Sequence, residues 1–195
     1  MRKRNSRNTK GRIVDAAWKL FYEQGYEDTT VEDIIFESNT SKGSFYHYFD
    51  GKDALLSSLS YLFDEKYGEL MDVMDPDMDS FDKLMYLNRE LFGMIENRVA
   101  LDLLARLLSS QLVTRGERHL LDHSRAYYKI LRQIIIRGQE RGELRTDMTV
   151  SEMAKAYALC ERGLMYDWCI CGGEYSLREY GAKMLPLFLR SFRAV

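Results

Sequence analysis

Residues 30–52 read TVEDIIFESNTSKGSFYHYFDGK, and the way this stretch divides decides the fold. Thr29-Thr30-Val31-Glu32-Asp33 offers both a Thr-x-x-Glu and a Thr-x-x-Asp capping box, the local signal that opens a helix. Val31, Ile34 and Ile35 share one face of that short helix, and Ser38-Asn39-Thr40-Ser41 ends it. A second brief helix runs from about Ser41 to Tyr48, with Phe45 and Phe49 four apart on its inner side. Asp50-Gly51-Lys52-Asp53 is a polar turn that starts the next helix. Two short helices joined by Asn39-Thr40-Ser41 have the size of a helix-turn-helix, whose second helix enters the DNA major groove. The outer face then presents Lys42, Ser44, Tyr46, His47 and Tyr48. That set is rich in donors and poor in negative charge, as contacts to phosphates and base edges require. Gly43 removes a side chain where backbone or DNA approaches closely. Any pair of short helices in a bundle can share this spacing, and Tyr46 and Tyr48 could simply cover a small core.

Outward from this stretch the chain is helical in both directions. Upstream, Ile13, Ala16, Ala17, Leu20 and Phe21 recur with helical spacing, and Gly25 stops the helix. Downstream, Leu55, Leu56, Leu59, Leu62, Phe63, Tyr67, Leu70 and Met74 predict one long amphipathic helix from Lys52, ended by Asp75-Pro76. Further apolar stripes run through Phe81 to Ile95, Leu101 to Leu112 and Leu120 to Ile135, the last stopped by Gly142. Thr149-Val150-Ser151-Glu152 opens a helix that ends at Gly172-Gly173, and Ser176 caps a final one toward Phe192, with a kink expected at Pro186. The expected fold is all-α, with about nine helices and no strand. Only two prolines in 195 residues agree with that.

The net charge of −2 hides a segregation. Residues 1–12 carry six basic side chains (Arg2, Lys3, Arg4, Arg7, Lys10, Arg12) and no acid, so the remainder carries −8. Much of that lies in residues 63–82, where eight acids face only Lys66. A basic arm beside an acidic body points to a polyanion met at one end, with a solubilising tail as the plainer reading. No apolar run approaches the ~20 residues of a bilayer span, and no signal core follows the basic start. Three cysteines, an odd number, suit a reducing compartment. The expected location is cytoplasmic, with no membrane partner.

The motifs Thr30-Val31-Glu32-Asp33-Ile34, Ser41-Lys42-Gly43-Ser44-Phe45-Tyr46-His47-Tyr48-Phe49 and Lys52-Asp53-Ala54-Leu55-Leu56 resemble the N-terminal signature of TetR-type (TetR/AcrR) transcriptional regulators. Ala16-Ala17, Leu20-Phe21, Gly25-Tyr26 and Thr29-Thr30 fit the same pattern, so the likeness covers roughly residues 9–60. The turn departs from it, with Asn39 at the family's usual glycine and Thr40 at an apolar position. The resemblance implies a DNA-binding unit in residues 1–52, comprising the arm and the helix-turn-helix, and a helical regulatory domain in residues 53–195. It implies that Thr30 and Lys52 hold phosphates, that Ser44, Tyr46 and His47 face the groove, and that Tyr48 bonds the DNA backbone. Ser41, Lys42 and Gly43 complete the expected DNA-binding set. The basic arm then reads as a DNA-contacting extension.

The same resemblance implies a homodimer formed by the last two helices, roughly 149–171 and 176–193, with a ligand cavity among the helices that follow the DNA-binding unit. Gly163 would permit close helix approach, and Leu177, Tyr180, Met184, Leu187 and Phe188 would supply apolar surface. Dimerisation would set two recognition helices ~34 Å apart on a palindromic operator. For the cavity, polar groups that interrupt apolar stripes are the candidates: Asn88 and Glu161, with Tyr127, Tyr128, Tyr157 and Trp168 as aromatic lining. An aromatic or cationic effector would suit them. The competing expectation is that Glu161 pairs with an arginine, either Arg162 or one across the dimer.

His119 and His123, with Asp122 adjacent, and Cys169-Ile170-Cys171, with Cys160 upstream, have metal-like spacings but no full ligand set. They read as surface histidines and core cysteines, and no metal or cofactor is expected. No nucleophile elbow, glycine-rich phosphate loop or Cys-His-Asp constellation is present, so the chain does not read as an enzyme. The expected function is a ligand-released repressor that binds a double-stranded operator as a homodimer. The alternative is an adaptor of the same fold that has exchanged DNA for a protein partner.

Overall fold

The computed structural model describes residues 2–113 and 118–194, with side chains from Thr9 onward. The expectation that Arg2, Lys3, Arg4 and Arg7 reach DNA therefore lies outside the described side chains. Ten α-helices appear among the described residues: α1 (Arg2–Glu23), α2 (Val31–Glu37), α3 (Lys42–Tyr48), α4 (Lys52–Leu56), α5 (Ser58–Val73), α6 (Ser80–Arg98), α7 (Leu101–Val113), α8 (Ala126–Glu140), α9 (Val150–Ile170) and α10 (Leu177–Leu189). Short 3₁₀ turns lie at His119–Leu121 and Arg190–Phe192, and one isolated antiparallel bridge ties Leu144 to Arg193.

The local signals act where the residues place them. Thr30 Oγ1 accepts from the Asp33 amide at 3.1 Å, and the Asp33 carboxylate accepts from the Thr30 amide at 2.9 Å, closing the capping box of α2. Ser41 and Ser176 cap α3 and α10, and Thr149 with Glu152 forms a second capping box at α9. α5 ends at Val73 before Pro76.

Two details differ from the sequence reading. The single helix expected from Lys52 is interrupted at Ser57. Ser57 keeps helical angles, but the Ser60 amide bonds the Ser57 carbonyl, three residues back, at 3.1 Å. The hydroxyls of Ser57 and Ser60 also take carbonyls three residues back, at 2.7 and 2.6 Å, and compete with the helix ladder. The helix expected from Leu120 begins only at Ala126, so His119 and His123 do not share a helix face. Pro186 lies inside α10, which continues to Leu189.

Apolar side chains form two cores. The smaller collects Ile13, Ala17, Phe21, Tyr26, Ile34, Phe45, Phe49, Leu55 and Leu56 from α1 to α4. The larger occupies α5 to α10, from Leu59 to Phe192. Two side chains join them: Leu103 of α7 is buried in the smaller core while Leu104 and Leu107 beside it belong to the larger, and Trp18 packs against both. No described helix is long and apolar enough to cross a membrane.

Candidate functional site

α3 sits on the small core through Phe45, which is fully buried. Its other side is open. Lys42, Gly43, Tyr46 and His47 are exposed, Ser44 is half-buried, and Thr30 is exposed at the start of α2. Thus the structure brings the expected donors onto one surface around α3. Asn39 makes the preceding turn with φ 48°, a left-handed conformation that asparagine tolerates better than other side-chain-bearing residues. Thr40 turns its hydroxyl to Ser38 Oγ at 2.8 Å, so a polar contact stands where an apolar one was expected.

Several of these side chains are already engaged. Lys42 bonds Glu32 at 3.2 Å, which lowers the Glu32 pKa, and its ammonium lies 6.0 Å from the Tyr46 ring centre. The Thr30 hydroxyl donates to Asp33 at 2.6 Å and holds the Asp33 carboxyl below its ordinary range. Ser41 and Ser44 share a 2.9 Å hydroxyl contact. Tyr48 is half-buried against the small core, with its ring 4.7 Å from that of His47. Lys52 is held by the segment after α1. Its ammonium donates to the Tyr26 and Glu27 carbonyls at 2.7 and 3.3 Å and lies 4.3 Å from the Tyr26 ring centre.

The larger core contains the polar cluster. Glu161 is 2 % exposed and accepts from Tyr67 at 3.0 Å, Asn88 at 2.9 Å and Tyr127 at 2.7 Å. Burial pushes its pKa up, against the opposing pull of those bonds. Burial and the nearby carboxylate push the Tyr67, Tyr127 and Tyr157 hydroxyls well above the ordinary tyrosine value. Tyr157 donates to the Leu84 carbonyl at 2.8 Å. The expected arginine partner is therefore corrected. Arg162 follows Glu161 in the helix and so projects about 100° around it; its Nη1 reaches the Tyr128 hydroxyl at 3.4 Å. Tyr67, which the sequence reading counted only as an apolar position, is part of the cluster.

The two remaining aromatic candidates lie apart from that carboxylate. Tyr128 donates to the Leu120 carbonyl at 3.3 Å, and Trp168 donates to the Tyr175 carbonyl at 2.8 Å. The cavity beside Glu161, walled by Phe63, Tyr67, Tyr127 and Met165, measures ≈ 30 Å³, about the size of one water. Arg162 lines it and also an outer groove of ≈ 460 Å³ along Leu108, Leu112, Leu120, Leu121 and Leu159. Arg125 lines the small cavity and forms a largely buried ion pair with Asp64, at 2.8 and 3.1 Å, which the Ser60 carbonyl completes and which ties the start of α8 to α5. Sequence reading missed this pair because its members are 61 residues apart and each looks like a surface charge.

On α9, Gly163 is open and Leu159, Tyr166 and Ile170 are exposed; on α10, Tyr180, Leu187 and Phe188 are exposed and Met184 is half-buried. Leu177, by contrast, is fully buried in the chain's own core. All three cysteines are free and half-buried. No group of three His, Cys, Asp or Glu side chains among the described residues is arranged to hold a metal.

A capped short helix, a tight turn and an exposed donor-rich helix, carried on a larger helical body, define a helix-turn-helix protein. Residues 13–59 match the family model for bacterial regulatory proteins of the tetR family. The chain is 42 % identical over 62 residues to the uncharacterised HTH-type transcriptional regulator YuxN of Bacillus subtilis, 31 % of this chain but only 21 % of that protein's length. Over nearly the whole chain, 187 residues, it is 24 % identical to the HTH-type transcriptional repressor KstR2 of Mycobacterium tuberculosis, covering 95 % of this chain and 92 % of that one. The Thermus thermophilus repressor FadR, solved in complex with lauroyl-CoA, superposes with a TM-score of 0.74 at 24 % identity, covering 93 % of each chain. The all-helical architecture is the one that tetR-family proteins share.

Proposed function

We propose that this protein is a homodimeric transcriptional repressor that binds a palindromic operator through α3 and is released by a small molecule. The observation that carries the reading is the outer face of α3, where Lys42, Ser44, Tyr46 and His47 stand clear of the core that Phe45 and Phe49 close. Thr30, Ser41, Gly43, Tyr48 and Lys52 complete the DNA-binding set. Thr30, Ser41 and Lys42 have only exposed local partners to exchange for phosphate, whereas Lys52 must leave two carbonyls to reach one. Residues 1–52 act as the DNA-binding part and 53–195 as the regulatory part.

The exposed apolar faces of α9 and α10 supply the dimer contact, with Leu159, Tyr166, Ile170, Tyr180, Leu187 and Phe188 as its apolar members. Leu177 supports that face from inside. The effector enters the groove beside Arg162, whose wall shares Leu159, Gly163 and Tyr166 with the proposed dimer face. Aliphatic side chains with Arg118 and Arg162 suit an acyl chain that ends in an anion. An acyl-CoA is therefore the first effector to test, as FadR was solved with lauroyl-CoA.

A footprint on the DNA flanking its own gene, repeated with lauroyl-CoA, tests the reading. A protected palindrome lost at raised salt and on addition of lauroyl-CoA is expected. No protection at any flanking sequence would overturn DNA binding, and protection unaffected by acyl-CoA would overturn this effector class.

A further inference from the structure

One sizeable cavity lies outside the regulatory core. It is an open cleft of ≈ 800 Å³ between α1, the end of α3 and the α4–α5 junction. Five aromatic side chains line it: Trp18 and Tyr22 from α1, Tyr48 and Phe49 at the end of α3, and Tyr61 from α5. Tyr22 and Tyr61 are half exposed, 50 % and 54 %, in positions where neither reaches a core. At its base Trp18 Nε1 donates to Ser58 Oγ at 2.8 Å, just past the interruption at Ser57.

The charges around the cleft are selective. Asp15 and Glu65 line it, and both are exposed carboxylates without an ion-pair partner among the described residues. The lining cation, Lys10, lies 5.7 Å from the Phe49 ring centre. Ring faces carry negative potential, so the exposed rings of Tyr22 and Tyr61 together with two carboxylates favour a cation. Its wall is built from α1, α3, α4 and α5 together with His119, and its aromatic members favour a flat ring system over an acyl tail. Its volume lies within the ordinary range of small-molecule sites.

We propose that this cleft is a second small-molecule site, distinct from the groove at Arg162, and that it takes a planar aromatic cation. An occupant would touch α1, the end of the helix that carries Tyr46, and α5 together, so it would bias the angle between the two cores.

Isothermal titration calorimetry of the full chain with 1-methylquinolinium tests this without DNA. The flat anion naphthalene-2-sulfonate and lauroyl-CoA serve as comparison ligands. Saturable binding in the range of about 1–100 μM is expected, with naphthalene-2-sulfonate at least about tenfold weaker. The double variant Asp15→Asn/Glu65→Gln, two exposed substitutions, should weaken binding about tenfold, and Tyr61→Ala about fivefold. Saturating lauroyl-CoA should leave the quinolinium affinity measurable. Tryptophan emission should be quenched on binding in the wild-type chain and not in Trp18→Phe, because the other tryptophan, Trp168, is buried elsewhere. Absence of saturable binding, equal binding of the anion, or an unchanged affinity in the double variant would each overturn the proposal. Operator binding is not part of the measurement, so these results and the footprint fail or succeed independently.

Discussion

Glu161 takes an acidic group into a mainly apolar core, and two tyrosines and an asparagine satisfy it. Burial raises its pKa above the reference of 4.5, so the folded chain holds the proton more tightly than the unfolded one. Its contribution is therefore full below pH 4.5 and is lost as pH rises through the higher folded value. Glu161→Gln should gain stability relative to wild type as pH rises through that window, and thermal melts from about pH 4 to 8 would show it. A difference that stays flat with pH would mean that burial does not govern this carboxyl. On the outer face of α3, Tyr46 is half exposed and carries little of the core, so Tyr46→Ala should leave the melting temperature nearly unchanged. It should weaken operator binding by about 1–3 kcal/mol, measured by fluorescence anisotropy.

Single glycines set how closely some helices lie. A Cβ at Gly181 of α10 would fall on the Phe92 ring and 3.2 Å from Asn88 Oδ1. Gly181→Ala should cost about 1–3 kcal/mol by denaturant unfolding, because α10 cannot lie on α6 without displacing a fully buried ring. Asn88 also donates to Glu161, so this contact links helix packing to the polar cluster. The helix starts were legible because a capping box needs only four consecutive residues, as at Thr30 and Thr149. The interruption at Ser57 was not legible. Serine clusters occur in continuous helices too, and only the placed hydroxyls and amides show which carbonyls they take.

At the scale of the molecule, the two cores are coupled mainly by α7 and Trp18. Leu103→Ala should destabilise the chain by about 2–5 kcal/mol and lower the cooperativity of unfolding, visible as a broader transition by circular dichroism. Arg106 on the same helix pairs with Glu27 and lies 4.8 Å from the Tyr26 ring centre, beside Lys52. α7 thus touches the residues that hold the expected phosphate-binding lysine. The apolar face on α9 and α10 is the proposed dimer contact: Leu187→Glu/Phe188→Glu should convert the proposed dimer to a monomer in light scattering without loss of helix content. A variant that remains dimeric would move the interface elsewhere.

Residues 30–52 determined by themselves two short capped helices and the turn between them, because caps, a turn and a two-faced pattern are local and close together in the chain. The apolar periodicity also determined the all-helical body, since it records which face of each helix is buried. Only the tertiary structure decided what lies opposite each face. It placed tyrosines rather than an arginine on Glu161, turned Leu177 inward, and held Lys52 on two carbonyls. It also joined Asp64 to Arg125 across 61 residues. Periodicity shows that a side chain turns inward, but its partner is fixed by how distant helices pack, and no local signal carries that information.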